Sequence, residues 1–165
     1  MPALVALKTS DGRFSYQAAG DPAKPPLMFL HGIGGAARAW RGQIDAFSDR
    51  YRAIAWDMPG YGGSAPLASV SIATLADALQ DFLHGIRAKA PVLVGHSIGG
   101  MIVQQWLTKH PVAARAVVLA QTSPAFGKAD GDWQRSFIEA RLGPLDRDAR
   151  TAARPSMARP AIQNA

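Results

Sequence analysis

Four short, uninterrupted apolar runs punctuate the chain: Leu27-Met28-Phe29-Leu30, Ala53-Ile54-Ala55-Trp56, Pro91-Val92-Leu93-Val94 and Ala116-Val117-Val118-Leu119-Ala120. Runs of this length with no polar alternation fit strands buried on both faces of a parallel sheet. Between them the apolar positions change period. Trp40, Ile44 and Phe47 recur at spacings of four and three, and Ile72, Leu75, Ala76, Leu79, Phe82, Leu83 and Ile86 form one helical stripe. A further helical pattern, Met101–Leu107, follows the third run directly. Strands alternating with helices from residue 27 to residue 120 predict an α/β fold, with a mostly parallel sheet covered by helices on both faces. Upstream, residues 4–19 read as two more strands around Ser10-Asp11-Gly12-Arg13, where Asp-Gly is a hairpin signal, making six. Asp21-Pro22-Ala23-Lys24-Pro25-Pro26 admits only a loop.

The signal changes after residue 130. Asp132–Leu142 has the pattern of one amphipathic helix, and beyond Gly143-Pro144 the chain is rich in Ala, Arg and Pro with few large apolar residues. The expected organisation is therefore a core over 1–130, a helix that begins a second layer over 131–143, and a basic tail without regular structure over 144–165.

Composition narrows the chemistry. The chain has 165 residues, one domain by length, and no cysteine, which excludes disulfides, thiolate metal sites and a cysteine nucleophile. No His/Asp/Glu cluster suggests a metal, and no cofactor is called for. No apolar run approaches a membrane span, and Met1-Pro2-Ala3-Leu4 lacks a basic-then-apolar signal, so a cytoplasmic protein without a membrane partner is expected. The formal charge is +6, but residues 135–165 supply half of it, with six arginines against Glu139, Asp146 and Asp148. The last 25 residues contain no aromatic side chain for base stacking, so a solvated basic tail is expected and a nucleic-acid partner is not.

Right-handed crossovers bring the loops after the strands to one sheet edge, where ligands bind in such folds. His31–Gly35, Asp57–Ser64, Ser97 and Gln121–Gly127 should meet there. Among them Gly95-His96-Ser97-Ile98-Gly99 lies between a strand and a helix. In a Gly-x-Ser-x-Gly elbow the serine sits on a strained turn that pushes its hydroxyl above the sheet. Gly95 and Gly99 are then required where strand and helix pass too closely for side chains. The following helix points its positive end at any oxyanion formed nearby.

Three motifs in this order, His31-Gly32-Ile33-Gly34-Gly35, Asp57-Met58-Pro59-Gly60-Tyr61-Gly62-Gly63-Ser64 and Gly95-His96-Ser97-Ile98-Gly99-Gly100, make the chain resemble the α/β-hydrolase family over about residues 12–142. The resemblance implies that Ser97 is the nucleophile and that the backbone amides of Ile33 and Ile98 form the oxyanion hole. His31, Gly32 and Gly34 would shape the turn that aims the Ile33 amide, and Gly95, His96 and Gly99 would support the elbow. Tyr61, Phe126 and Trp133 are pocket candidates. Gln121–Gly127 followed by Trp133 is similar to the approach to the cap in 3-oxoadipate enol-lactonases and related ester and carbon–carbon hydrolases, which implies a small ester or lactone as substrate.

The chain also departs from the family pattern. Family members carry the triad acid and then the base on later loops, yet no histidine follows His110. His31, His84, His96 and His110 sit in the oxyanion turn, on a helix, in the elbow and at a helix end. Asp130, Asp132, Asp146 and Asp148 fall in cap or tail sequence. The expectation is an α/β-hydrolase core ending after about the sixth strand as the cap begins, without a triad acid or base. Ala116–Ala120, read as a buried strand, would then lie at the sheet edge, a self-association site. Two rival readings share some of these residues. Gly32-Ile33-Gly34-Gly35-Ala36-Ala37 with Asp57 fits a dinucleotide fingerprint, but a hairpin precedes it and Asp57 runs into a Pro/Gly loop that fingerprint does not use. The other is a non-catalytic remnant or interaction protein that keeps the fold.

Overall fold

In the computed structural model, residues 5–124 and Ser136 are described. The expected cap helix over 131–143 (Ser136 apart) and the tail over 144–165 lie outside the described residues, as do Phe126 and Trp133.

The apolar runs form the centre of one six-stranded sheet. Its strands are β1 (Val5–Lys8), β2 (Ser15–Ala19), β3 (Pro26–Leu30), β4 (Arg52–Trp56), β5 (Val92–His96) and β6 (Ala116–Ala120), in the order β1-β2-β4-β3-β5-β6. β4, β3, β5 and β6 run parallel. β1 and β2 pair antiparallel, and β2 pairs antiparallel with β4. β3, flanked by β4 and β5, has four of its five residues buried.

Side-chain alternation along these strands divides the core between two faces. Tyr16, Ala18, Met28, Leu30, Ile54, Trp56 and Leu93 point to one face, where α2 (Ile72–Gly85) and α3 (Ile98–Lys109) cover them. Ala19, Leu27, Phe29, Ala53 and Ala55 point to the other, under α1 (Arg41–Phe47) and the 3₁₀ turn Ala37–Trp40 before it. The stripe marked by Trp40, Ile44 and Phe47 therefore spans two kinds of helix. It still serves one purpose: Trp40 stacks on Phe29 with ring centroids 5.0 Å apart, and Ile44 is fully buried. α2 starts at a reciprocal cap, in which the Ser71 hydroxyl accepts from the Thr74 amide at 3.1 Å and Thr74 Oγ1 accepts from the Ser71 amide at 2.9 Å. Trp106 Nε1 on α3 donates to Gln80 Oε1 on α2 at 2.8 Å, tying the two helices together.

The β1–β2 connection falls around residues 10–13, as expected: the ladder ends at Lys8 and Ser15, and the Thr9 amide donates to the Phe14 carbonyl at 2.9 Å across those four residues. Within it Gly12 (φ 71°) closes a turn onto the Thr9 carbonyl, and the Thr9 hydroxyl donates to Asp11 at 2.6 Å. That local competition for the backbone is what Asp and Thr side chains favour. β6 lies at the edge, as expected, but its reading as a buried strand needs correction: Val118 is 51% and Leu119 46% exposed. It is an edge strand, paired only with β5 among the described residues.

Candidate active site

Strand β5 ends at His96, helix α3 begins at Ile98, and the single residue between them is Ser97. Its φ of 54° and ψ of −122° lie where a residue with a Cβ is strained, at a typical cost of about 1–3 kcal/mol. The surroundings hold it there. The Ser97 amide donates to the Ala120 carbonyl at 3.0 Å. Its own carbonyl accepts from the Gly100 amide at 2.9 Å, the Met101 amide at 3.2 Å and the Thr122 hydroxyl at 2.7 Å. Ser97 Oγ has no hydrogen-bond partner among the described residues.

The flanking glycines are there for space. A Cβ on Gly95 would lie 2.6 Å from Gly100 Cα, and one on Gly99 would lie 2.5 Å from the Leu30 carbonyl oxygen. Helix α3 thus rides directly on the end of β3. A Cβ on Gly100 would meet the Thr122 side chain at 2.6 Å, so that glycine makes room for the threonine that grips Ser97.

The loop after β3 lies against this elbow. A Cβ on Gly32 would sit 2.9 Å from His96 Nδ1 and 3.2 Å from Ser97 Cβ. Gly35 donates back to the Gly32 carbonyl at 3.0 Å, closing a tight turn in which Gly34 takes φ 76°. The amides of Ile33 and Ile98 donate to no other group among the described residues. Ile33 is 56% exposed.

His31 is buried and fully engaged. Its Nε2 accepts from the Met58 amide at 3.0 Å, which leaves the proton on Nδ1 for donation to the Gly32 carbonyl at 2.8 Å. Burial holds its pKa below the ordinary 6.5, partly opposed by the Gly32 bond and the Asp57 charge. Tyr61 packs edge-on against the ring at 5.0 Å. His31 thus stitches the loops after β3 and β4 together as a neutral ring.

Asp57 does similar work. Its carboxylate accepts from the Ala37 amide at 2.8 Å and from the Ser15 hydroxyl at 2.5 Å. Ser64 Oγ donates to the Asp57 carbonyl at 2.6 Å and accepts from the Ser15 amide at 2.9 Å. Both carboxylate oxygens are engaged inside the protein, an arrangement unlike that of an acid awaiting a ribose.

The structure thus brings His31, Gly32, Ser97, His96 and the start of the loop after β6 to one edge, as the topology predicts. No histidine is set against Ser97 Oγ. His96 Nε2 is engaged with Gln121 Oε1 at 3.0 Å, His110 packs on Trp106 at 5.1 Å, and His84 is exposed near the end of α2. Among the described residues no group of His, Asp and Glu could hold a metal ion, and no helix is long and apolar enough to cross a membrane. Ser15 has no place in the sequence reading, and Ser64 and Thr122 enter it only as members of the loops after β4 and β6; the partners that give the three their roles lie 7 to 49 positions away.

Comparison with known proteins agrees with this geometry. The α/β-hydrolase fold family profile matches residues 25–161. Epoxide hydrolase 3 of Xenopus tropicalis is 38% identical over 109 residues, which is 64% of this chain and 30% of that protein. The solved epoxide hydrolase CorEH superposes with a TM-score of 0.73 at 20% identity, over 89% of this chain and 54% of that one. A thermophilic esterase superposes with a TM-score of 0.68 at 22% identity, over 92% and 54%. The chain spans about a third of the length of the first curated relatives it matches. With the family match covering most of the sequence, the chain belongs to the α/β-hydrolase fold family.

Proposed function

We propose that the chain carries the nucleophile and oxyanion-hole part of a serine hydrolase acting on a small ester or lactone of the 3-oxoadipate enol-lactone kind, in the cytoplasm and without a cofactor. The observation that carries this reading is the strained turn at Ser97, held by Thr122 and Ala120, with the Gly32 turn against it. In the reaction Ser97 Oγ adds to the carbonyl carbon while the carbonyl π pair moves onto oxygen. The Ile33 and Ile98 amides hold that oxyanion, donors fixed before charge develops. The alcohol or enol then departs with a proton, and water releases the acyl group. Tyr61 lines the approach beside His31.

A serine hydroxyl needs a base to take its proton, and this chain has no histidine placed to do so. Hydrolysis by the 165-residue chain alone should therefore fall near background. Sites that lose triad members keep roughly 10³–10⁴ over water only where oxyanion hole and substrate pocket are both intact. The test is p-nitrophenyl acetate hydrolysis by the chain and its Ser97→Ala variant. Steady turnover that disappears in Ser97→Ala but survives replacement of His31, His84, His96 and His110 in turn would overturn the account of the base. The relatives named epoxide hydrolases favour a second reading, opening of an epoxide ring. Styrene oxide in the same assay separates the two, since turnover of it without ester cleavage would displace the ester reading.

A further inference from the structure

At the opposite edge of the sheet, where the parallel strands begin, the loops enclose a cleft of about 280 Å³. Five of its eleven lining residues are cations, Lys24, Arg52, Arg87, Lys89 and Arg115, and none is acidic. The four ion pairs of the described residues all lie elsewhere: Arg13–Asp81, Arg41–Asp45, Arg50–Asp49 and Lys109–Asp77. The remaining described acids are also committed. Asp57 is bound to Ser15 and Ala37, Asp11 to Thr9 and the Arg13 amide, and Asp21, the nearest in sequence, folds back onto the Ala23 amide at 2.9 Å. Five cationic side chains thus line one concavity, and no carboxylate is among the residues that line it.

The walls are stiff. Pro22, Pro25 and Pro26 form one side, and their fixed φ angles limit how far that wall can move. On the floor the Arg52 guanidinium donates to the Ile86 carbonyl at 2.9 Å, which anchors it while leaving other N–H donors free for a ligand. Lys24 is held by the Asp49 carbonyl. Across from them the chain turns from α2 into β5 through Arg87 (φ 55°) and Ala90 (φ 44°). Like charges gathered on a rigid frame repel one another, and a multivalent anion relieves that repulsion while meeting donors already in position.

We propose that this cleft binds a small multiply charged anion of the oligophosphate class, at a site separate from Ser97. Guanidinium groups suit phosphate oxygens, and the volume fits two or three linked phosphates rather than a polymer. The probe is sodium tripolyphosphate, titrated calorimetrically into the full chain at 50 and 200 mM salt. Saturable one-site binding is expected, weaker at the higher salt as screening shortens the reach of the charges. Arg87→Asn with Lys89→Ser should weaken binding by about fivefold or more; asparagine is chosen because it tolerates the left-handed backbone at position 87. Lys89→Ser with Arg115→Ser is a second pair that leaves that backbone untouched, and it should weaken binding likewise. Lys8→Ser with Arg38→Ser removes the same charge away from the cleft and should leave affinity within twofold of the parent. The proposal is overturned if this control pair weakens binding as much as the cleft pairs, if no saturable heat appears at 50 mM salt, or if a single-stranded oligonucleotide binds more tightly than tripolyphosphate.

Discussion

Replacing Gly99 by alanine tests whether the close approach of α3 to β3 fixes the elbow. The added methyl would lie 2.5 Å from the Leu30 oxygen, 2.8 Å from the Leu30 carbonyl carbon and 2.9 Å from the His31 oxygen. All three are backbone atoms of the central strand or its end, so no rotamer change relieves the clash. Helix α3 has to lift instead, and it carries the buried Ile102, Val103 and Trp106. Overpacking a close-packed interior costs about 1–3 kcal/mol, and lifting a helix places this case at the upper end. Two other glycines calibrate the result. Gly34 has open space around its Cβ position but φ 76°, so Gly34→Ala should cost about 1 kcal/mol through backbone conformation alone. Gly42 lies in α1 with nothing near it, and Gly42→Ala should stabilise by about 0.5–1 kcal/mol. Urea unfolding followed by tryptophan fluorescence, with unchanged m-values, measures all three. A loss in Gly99→Ala no larger than that in Gly34→Ala would refute the packing argument.

Thr122→Val removes the hydroxyl that reaches the Ser97 carbonyl and keeps the methyl beside Gly100. With two amides still bonded to that carbonyl, the expected loss is about 1 kcal/mol in the same unfolding assay, and no loss would mean the grip is unimportant. His31 is held neutral in the folded protein, its pKa lowered by burial, so its contribution to stability is present above pH 6.5 and is lost as pH falls from there towards the lowered folded value. The urea midpoint should drop between pH 7 and 5.5 and drop less in His31→Gln; equal drops would contradict this. The exposed apolar edge of β6 should make the chain self-associate, and Val118→Lys should reduce that. Light scattering that shows only monomer for the parent at all usable concentrations would dismiss the idea.

What the sequence made legible followed from periodicity and glycine. Apolar runs such as Leu27–Leu30 can only be satisfied between two covered faces, so strand positions and the α/β alternation were readable within a residue or so. The elbow was readable because Gly95 and Gly99 mark close approach at a fixed offset from Ser97. The β1–β2 connection was readable because Asp11-Gly12 marks a hairpin locally, and the Thr9–Phe14 bond closes around residues 10–13. The run that forms β6 reads as buried from its apolarity alone, and only the count of strands expected beside it put it at the edge, where it lies. The roles of Thr122, Ser15 and Ser64 were not readable for a related reason: a hydroxyl's task is set by the partner that folding brings to it, such as Ser97 for Thr122.

The most direct test of the central claim is where a fluorophosphonate reacts. The chain contains ten serines, most of them in loops or on the surface, and an unassisted hydroxyl reacts slowly. Prolonged incubation followed by peptide mass spectrometry should place the adduct on Ser97 alone, because its hydroxyl sits on a strained turn and has no hydrogen-bond partner among the described residues. The adduct should be absent in Ser97→Ala and retained in Ser64→Ala. Labelling spread evenly over other serines, or an unmodified Ser97 beside a modified one elsewhere, would contradict its assignment as the nucleophile.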